Sequence, residues 1–310
     1  MTDQQVAPTR ASERLSCSTW AYSRWDLPDA LESIARVGYR GVELLTQPLT
    51  RSDGTRHEHL RPDWPDSKIA EIQEHIERLG LVVTCVSPST DFLKPRYGSV
   101  QGEVEEVCRN VDLAVRLGAP RVRPFATHDV PPTMERAEAI EKMAVPLRET
   151  GVYAEGKGVR IAIENHGVWP AVASNVVDLL TAIDHDAVGI TLHIPRETAD
   201  ELLELVPHKI WHLHLTDRGP EQYDNAEAAG LRREGLSFPQ IATRLGISID
   251  QASPRRLALG EGEADLTSIV STLLQNGYDG WFNHEGGPEA NPEPTEERSI
   301  AYLRNLLVRA

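Results

Sequence analysis

Cysteine is scarce. Cys17, Cys85 and Cys108 are the only three in 310 residues, widely spaced, odd in number and in no CxxC pair. That excludes a disulfide framework and suits a reducing compartment such as the cytoplasm. Positive charge is also in deficit, with 32 Lys and Arg against 47 Asp and Glu and a net charge of -15. So acidic a surface repels phosphate backbones and anionic membranes, which disfavours nucleic acid as the main ligand. No apolar run is long enough to span a bilayer, and the polar start MTDQQVAPTRASER lacks the apolar centre of a signal peptide. Glycine is missing where an open nucleotide-binding sheet would place it. The segment after the first apolar strand reads STWAYSRW, with no phosphate loop.

What is present is a repeated unit: amphipathic helix, glycine, short apolar strand. Strands read at 15–20, 41–45, 81–86, 121–126, 159–164, 188–193, 210–215 and 280–285. Between them lie helical stripes such as Leu27, Ala30, Leu31, Ile34 and Val37, closed by Gly38, and Val104, Val107, Val111 and Val115, closed by Gly118. Asp26 and Ser174 stand where helix caps are expected, and the long helix starts near Pro132. A helix turning sharply into a strand needs a left-handed residue, hence the glycines. Parallel strands need such crossovers, and eight of them close a barrel. The expected fold is α/β, a (β/α)8 TIM barrel forming one domain over 1–310, with a helical insertion after strand seven.

In such a barrel the chemistry sits at the C-terminal ends of the strands. The fifth ends in Glu164-Asn165-His166 and the sixth in His193; the seventh holds His212 and His214, followed by Asp217; the eighth ends in Asn283-His284-Glu285. Buried carboxylates are costly unless a cation or hydrogen bonds satisfy them, and one divalent metal is the economical explanation. In HLHL the histidines share one strand face and Leu213 and Leu215 the other. His214 lies nearer the rim and is the better ligand, while His212 reads as a hydrogen-bonded core histidine. Among secondary candidates, His166 reaches a substrate hydroxyl or steadies a loop. Arg123 binds a substrate oxygen or pairs with Glu164. Glu43 reads as a partner for a barrel arginine. Trp20 and Trp25 form an apolar wall for a sugar ring or simply pack at the rim. His57 and His59 read as solvated loop histidines, with a lid over the site as the alternative.

The segments DALESIARVGYRGVELL, RIAIENHG, IWHLHLTDR and LGEGEADLTSIVSTLLQNGYDGWFNHE resemble the sugar phosphate isomerase/epimerase superfamily with a xylose isomerase-like barrel. The likeness covers nearly the whole chain except about 219–256. It implies a divalent-metal-dependent enzyme of carbohydrate metabolism, with a strand-five glutamate, strand-six aspartate, strand-seven histidine and strand-eight glutamate as ligands. The matching positions are Glu164, His193, His214 and Glu285, so a histidine replaces the aspartate. Arg196 stands where a substrate-contacting histidine is common. A Glu2His2 set suits manganese first, with cobalt, iron or zinc as alternatives, better than magnesium. The resemblance further implies proton abstraction next to the carbonyl of a ketose or polyol-derived ketone, with Glu164 and Glu285 as the acid/base pair. Returning the proton elsewhere gives isomerisation or epimerisation. Loss of a β-leaving group gives a lyase or dehydratase acting on an inosose or oxidised glycoside.

The insertion, 219–256, contains LRREGLSFPQIATRLGIS, which resembles a helix-turn-helix, with a third helix starting after Ser248. A ligand-sensing regulator that binds DNA is therefore the competing class. The acidic balance argues against the phosphate contacts it needs. An apurinic endonuclease on the same barrel would need a larger metal cluster and a basic groove. The insertion is instead expected to dock on the barrel or on a second copy of the chain, as a cover or a homo-oligomer contact.

Overall fold

A computed structural model describes residues 10–309, apart from 52, 168, 171, 195–198, 220–224, 237, 248–251 and 255. Its strands are β1 (Leu15–Ser18), β2 (Gly41–Leu45), β3 (Leu49–Thr50), β4 (Arg56–His57), β5 (Val82–Ser87), β6 (Arg121–Val122), β7 (Arg160–Glu164), β8 (Val188–Ile194), β9 (Ile210–Leu215), β10 (Asp217–Arg218), β11 (Arg256–Leu257) and β12 (Phe282–His284). The eight long-range strands close in the order β1-β12-β9-β8-β7-β6-β5-β2, every pair parallel. This is the α/β TIM barrel expected from the alternation. Helices α1 (Leu27–Val37), α2 (Asp66–Arg78), α3 (Val100–Leu117), α4 (Arg136–Glu155), α5 (Ala173–Ile183), α6 (Ala199–Leu205) and α9 (Leu266–Gln275) follow its strands, while α7 (Ala226–Arg233) and α8 (Phe238–Leu245) lie in the insertion.

Strand alternation divides the barrel into an apolar outside and a polar inside. Ile190, Leu192, Ile194, Leu213 and Leu215 join the core shared with the helices, so Thr191, His193, His212 and His214 face the axis. Gly38 and Gly118 adopt φ of 105° and 69°, the left-handed turn that sends each helix into the next strand. The fourth barrel strand is shorter than the apolar run RVRPFA because Pro124 has no N–H for the ladder. The chain still tracks its neighbours there: Arg123 N–H donates to Val86 and Pro124 C=O accepts from Glu164.

Asp26 precedes α1 as expected and is its N-cap residue, with its carboxylate paired to Arg51 in place of a cap bond. Two local expectations differ. Ser174 lies inside α5, whose N-cap is Val172. The long helix starts at Arg136. A helix that the pattern analysis did not reach, α10 (Glu293–Arg309), packs its Ile300, Leu303, Leu306 and Leu307 against the core.

In the insertion, Asn225 caps α7 by accepting from Glu227 and Ala228 N–H. The helices α7 and α8 make their own small cluster of Ala228, Leu231, Ile241, Ala242 and Ala252, separate from the barrel core. Arg232 lies 4.9 Å from the centre of the Phe238 ring, which occupies one cation that a DNA contact could use. The expected helix after Ser248 lies outside the described residues. The ribbon β10–β11, antiparallel with Arg218 opposite Arg256, ties the end of the insertion back to the barrel rim. Replacing 226–247 by a short Gly-Ser linker should therefore keep a single cooperative thermal transition, measured by circular dichroism. Lengthening or shortening a surface loop changes closure entropy by less than about 1 kcal/mol. Loss of cooperative unfolding would make the insertion part of the core.

Candidate metal centre and active site

Glu164 at the end of β7, His193 in β8, His214 in β9 and Glu285 after β12 converge at the C-terminal rim. One ligand atom from each lies within 4.8 Å of every other, and all four residues are buried. His193 Nδ1 is 2.7 Å and His214 Nδ1 2.9 Å from Glu164 Oε1. His214 Nδ1 is 3.5 Å from Glu285 Oε1, and His193 Nδ1 3.6 Å from Glu285 Oε2. Glu164 Oε2 is buried without a hydrogen bond, although Arg123 Nη1 stands 3.3 Å away. A buried carboxylate oxygen left open beside two imidazoles and a second carboxylate fits a divalent cation.

Behind this cluster stands Glu43 on β2. Its Oε2 lies 2.8 Å from His214 Nε2 and 3.0 Å from His212 Nε2, and Asn283 Nδ2 donates to it at 2.7 Å. Ser87 donates to Oε1. Glu43, His212 and His214 also sit close enough to form a second ligand group, but the atoms that face one another there, Glu43 Oε2 and the two Nε2 atoms, already hydrogen-bond together. A carboxylate holding one imidazole nitrogen so that the other faces the site is the usual support of a metal-binding histidine. A barrel arginine was expected beside Glu43, and Arg123 stands there, but further away at 3.6 Å.

The charges reinforce one another. Burial opposes ionisation of Glu164, but His214 and Arg123 outweigh it and hold the carboxyl well below its usual range. Glu285 is lowered the same way, burial being overcome by His214, Arg256 and His193. Burial would lower His214, yet Glu43, Glu164 and Glu285 outweigh it and hold the imidazole well above 6.5. In the metal-free chain the His214 contribution to stability is complete below pH 6.5 and disappears as pH rises through its raised pKa. The two glutamates contribute above the usual carboxylate range and lose that contribution as pH falls through their lowered values. A cation must displace the His214 proton, so divalent-metal affinity should strengthen by up to about tenfold per pH unit and level off only once the pH passes the raised His214 pKa. Calorimetric titration at pH 6, 7 and 8 measures this; affinity that is flat or falls with pH would show that His214 carries no displaceable proton.

The other candidate residues spread around this centre. His166 Nδ1 is 3.6 Å from Glu164 Oε1, and its ring meets His193 edge-on at 5.1 Å and His128 at 5.7 Å. Arg123 lies over Phe125 at 4.4 Å. Trp20 lines a rim cavity, whereas Trp25 donates Nε1–H to Ala290 C=O. Arg196 lies outside the described residues. The solvated reading of the loop histidines is corrected. His59 is 1% exposed, bonded through Nε2 to Trp25 C=O at 3.0 Å, and burial pushes its pKa down to about 4. His57 Nε2 is fixed on Ser23 C=O at 2.7 Å. The β3–β4 loop folds back onto the segment after β1, which explains both.

Sequence reasoning passed over three further features. Arg256, at the end of the insertion, donates Nη1 to Glu285 C=O (2.9 Å), Glu285 Oε2 (3.1 Å) and Gly286 C=O (3.0 Å). The insertion thus ends in a guanidinium that grips both backbone and carboxylate of one cluster residue. Asp217 points away from the site, accepting from the N–H groups of Arg218, Gly260, Gly262 and Ala264. A Cβ on Gly262 would sit 2.1 Å from Asp217 Oδ1, so the glycine of GEGE is a packing requirement. Its Glu261 pairs with Arg298 at the surface. His284 turns outward to Glu296 on α10 at 2.7 Å, which also accepts from Tyr39. No sequence periodicity marks these contacts; each depends on barrel closure.

The 3-dehydroshikimate dehydratase of Pseudomonas putida is 25% identical over 292 residues, 91% of this chain and 39% of that protein. The chain therefore spans about two-fifths of that relative's length. A D-tagatose 3-epimerase-like protein superposes with a TM-score of 0.69 at 17% identity, over 96% of this chain and 97% of that one. A xylose isomerase-like TIM barrel protein from Mycobacterium smegmatis, solved in complex with magnesium, gives 0.64 at 16% identity over 100% and 99%. These structural likenesses show a shared barrel. Because the family model described as xylose isomerase-like TIM barrel matches residues 31–306, the chain belongs to that family.

Proposed function

We propose that this chain is a divalent-metal-dependent enzyme that removes a proton next to the carbonyl of a ketose or related keto-sugar, with isomerisation or epimerisation as the outcome. The observation that carries this reading is the convergence of Glu164, His193, His214 and Glu285 within 4.8 Å at the rim. Manganese is the cation we assign first, on the two-imidazole, two-carboxylate donor set. When bound, it would act as a Lewis acid on the ketone and its neighbouring hydroxyl. Glu164 and Glu285 reach the centre from β7 and from the end of β12, so they would face opposite sides of a bound sugar. Glu164 takes the proton. Glu164 can give the same proton back to the neighbouring carbon, the isomerase outcome; for epimerisation Glu285 must first take a proton from water, which it delivers to the other face while Glu164 releases its own to solvent. Arg123, 3.3 Å from Glu164 Oε2, keeps that carboxyl ionised before the transfer.

A dehydratase is the second reading, favoured by the Pseudomonas relative. There the same abstraction is followed by departure of a β-hydroxyl, which needs a proton donor on the leaving oxygen. His166, beside Glu164, is placed to supply it. Turnover in deuterated water separates the two. Ketoses, inososes and oxidised glycosides would be screened with the manganese-loaded chain, and products read by mass and NMR. Deuterium on the carbon next to the carbonyl, with mass otherwise unchanged, supports the isomerase; loss of water supports the dehydratase. Neither, together with sequence-specific duplex binding in a gel shift, would favour the regulator.

A further inference from the structure

At the C-terminal rim of the barrel lies a cavity of about 830 Å3 between the segments after β1, β2 and β5, within the usual size of a small-molecule site. Four guanidiniums line it, against three carboxylates, in a chain whose net charge is -15. Two of the four are neutralised locally. Arg61 is held in a fork by Asp63, and Arg109 donates to Glu106. Arg56 and Arg96 make no side-chain hydrogen bond or ion pair with any described residue and remain exposed at the cavity. Trp20 also lines it, and its Nε1–H is buried without an acceptor.

We infer that this cavity is the subsite for an anionic group, a carboxylate or a phosphate ester, on the part of the substrate remote from the reacting carbonyl, held by Arg56 and Arg96. Unpaired guanidiniums match both oxyanions through parallel N–H donors. The inference rests on the small-molecule enzyme reading above and narrows its substrates to acidic keto-sugars or sugar phosphates.

The test is calorimetric binding of two matched pairs to the full chain, with and without manganese: shikimate against its methyl ester, and D-fructose 6-phosphate against D-fructose. One charged member should bind at least tenfold more tightly than its neutral counterpart, and which one does so distinguishes carboxylate from phosphate. Arg56→Gln with Arg96→Gln should remove at least tenfold of that preference while leaving the neutral counterpart and the manganese stoichiometry unchanged. Both residues are exposed and unpaired, and the single variants, each with a smaller loss, serve as a second measurement. Equal binding of charged and neutral members, no binding of any probe, or a preference unchanged in the double variant overturns the inference. A chain that takes up no manganese fails the metalloenzyme reading instead, and the preference is still read on the metal-free protein.

Discussion

Glu285→Gln should weaken manganese binding by at least about tenfold, and Glu164→Ala should abolish turnover as well as binding. Disturbing even an outer partner of a metal ligand costs about 10- to 100-fold, and these two side chains supply both negative charges facing the cluster. The effects should differ in kind. Glu285→Gln keeps the shape and the hydrogen bond from Arg256, so its fold is retained while one anionic donor is lost. Glu164→Ala removes the carboxylate that faces His193, His214 and Arg123 together. Elemental analysis and calorimetry report the metal, and deuterium uptake reports the chemistry. Wild-type metal affinity in either variant would move the cation elsewhere. Wild-type turnover in Glu164→Ala would remove it from the proton transfer.

The barrel was legible because its signals are local. Each strand is a short apolar run following a stripe that a glycine such as Gly38 or Gly118 terminates, and the neighbour of each strand follows from closure alone. The inward pair His212 and His214 was legible for the same reason, since period-two alternation places both opposite Leu213 and Leu215. What was hidden lies across the barrel or outside it. Glu43 meets His214 across 171 positions of sequence, and nothing around GVELL says which imidazole it will face. Arg256 went unnoticed because the two-residue ribbon that returns it to Glu285 has no periodicity to detect. Asp217 followed the histidines like one more rim acid, yet four backbone donors claim it. His59 was read from loop composition, which cannot show that the loop folds over the segment after β1 and buries it.

Glu43 makes the strongest demand among these hidden residues, and Glu43→Gln tests it. The two Glu43 oxygens have different surroundings. Oε2 faces His212, His214 and Asn283, all donors, whereas Oε1 meets Ser87, whose hydroxyl can also accept. A glutamine fits if its carbonyl takes the Oε2 position and its amide donates to Ser87, so the fold should survive. The charge behind His214 is lost. The negative charge that drew a cation toward the imidazole disappears, and the hydrogen bond that fixes the Nδ1 atom toward Glu164 and Glu285 weakens. Both effects lower metal affinity, by about 10- to 100-fold at pH 8. A second readout separates this from a packing defect. Glu43 is the first of the charges that raise His214 against its burial, so its removal lowers that pKa. The rise of metal affinity with pH should then level off at lower pH in the variant than in the parent. Unchanged affinity with an unchanged pH profile would leave Glu43 a structural residue of the barrel, and weakened affinity without the profile shift would mean that its hydrogen bonds matter while its charge does not.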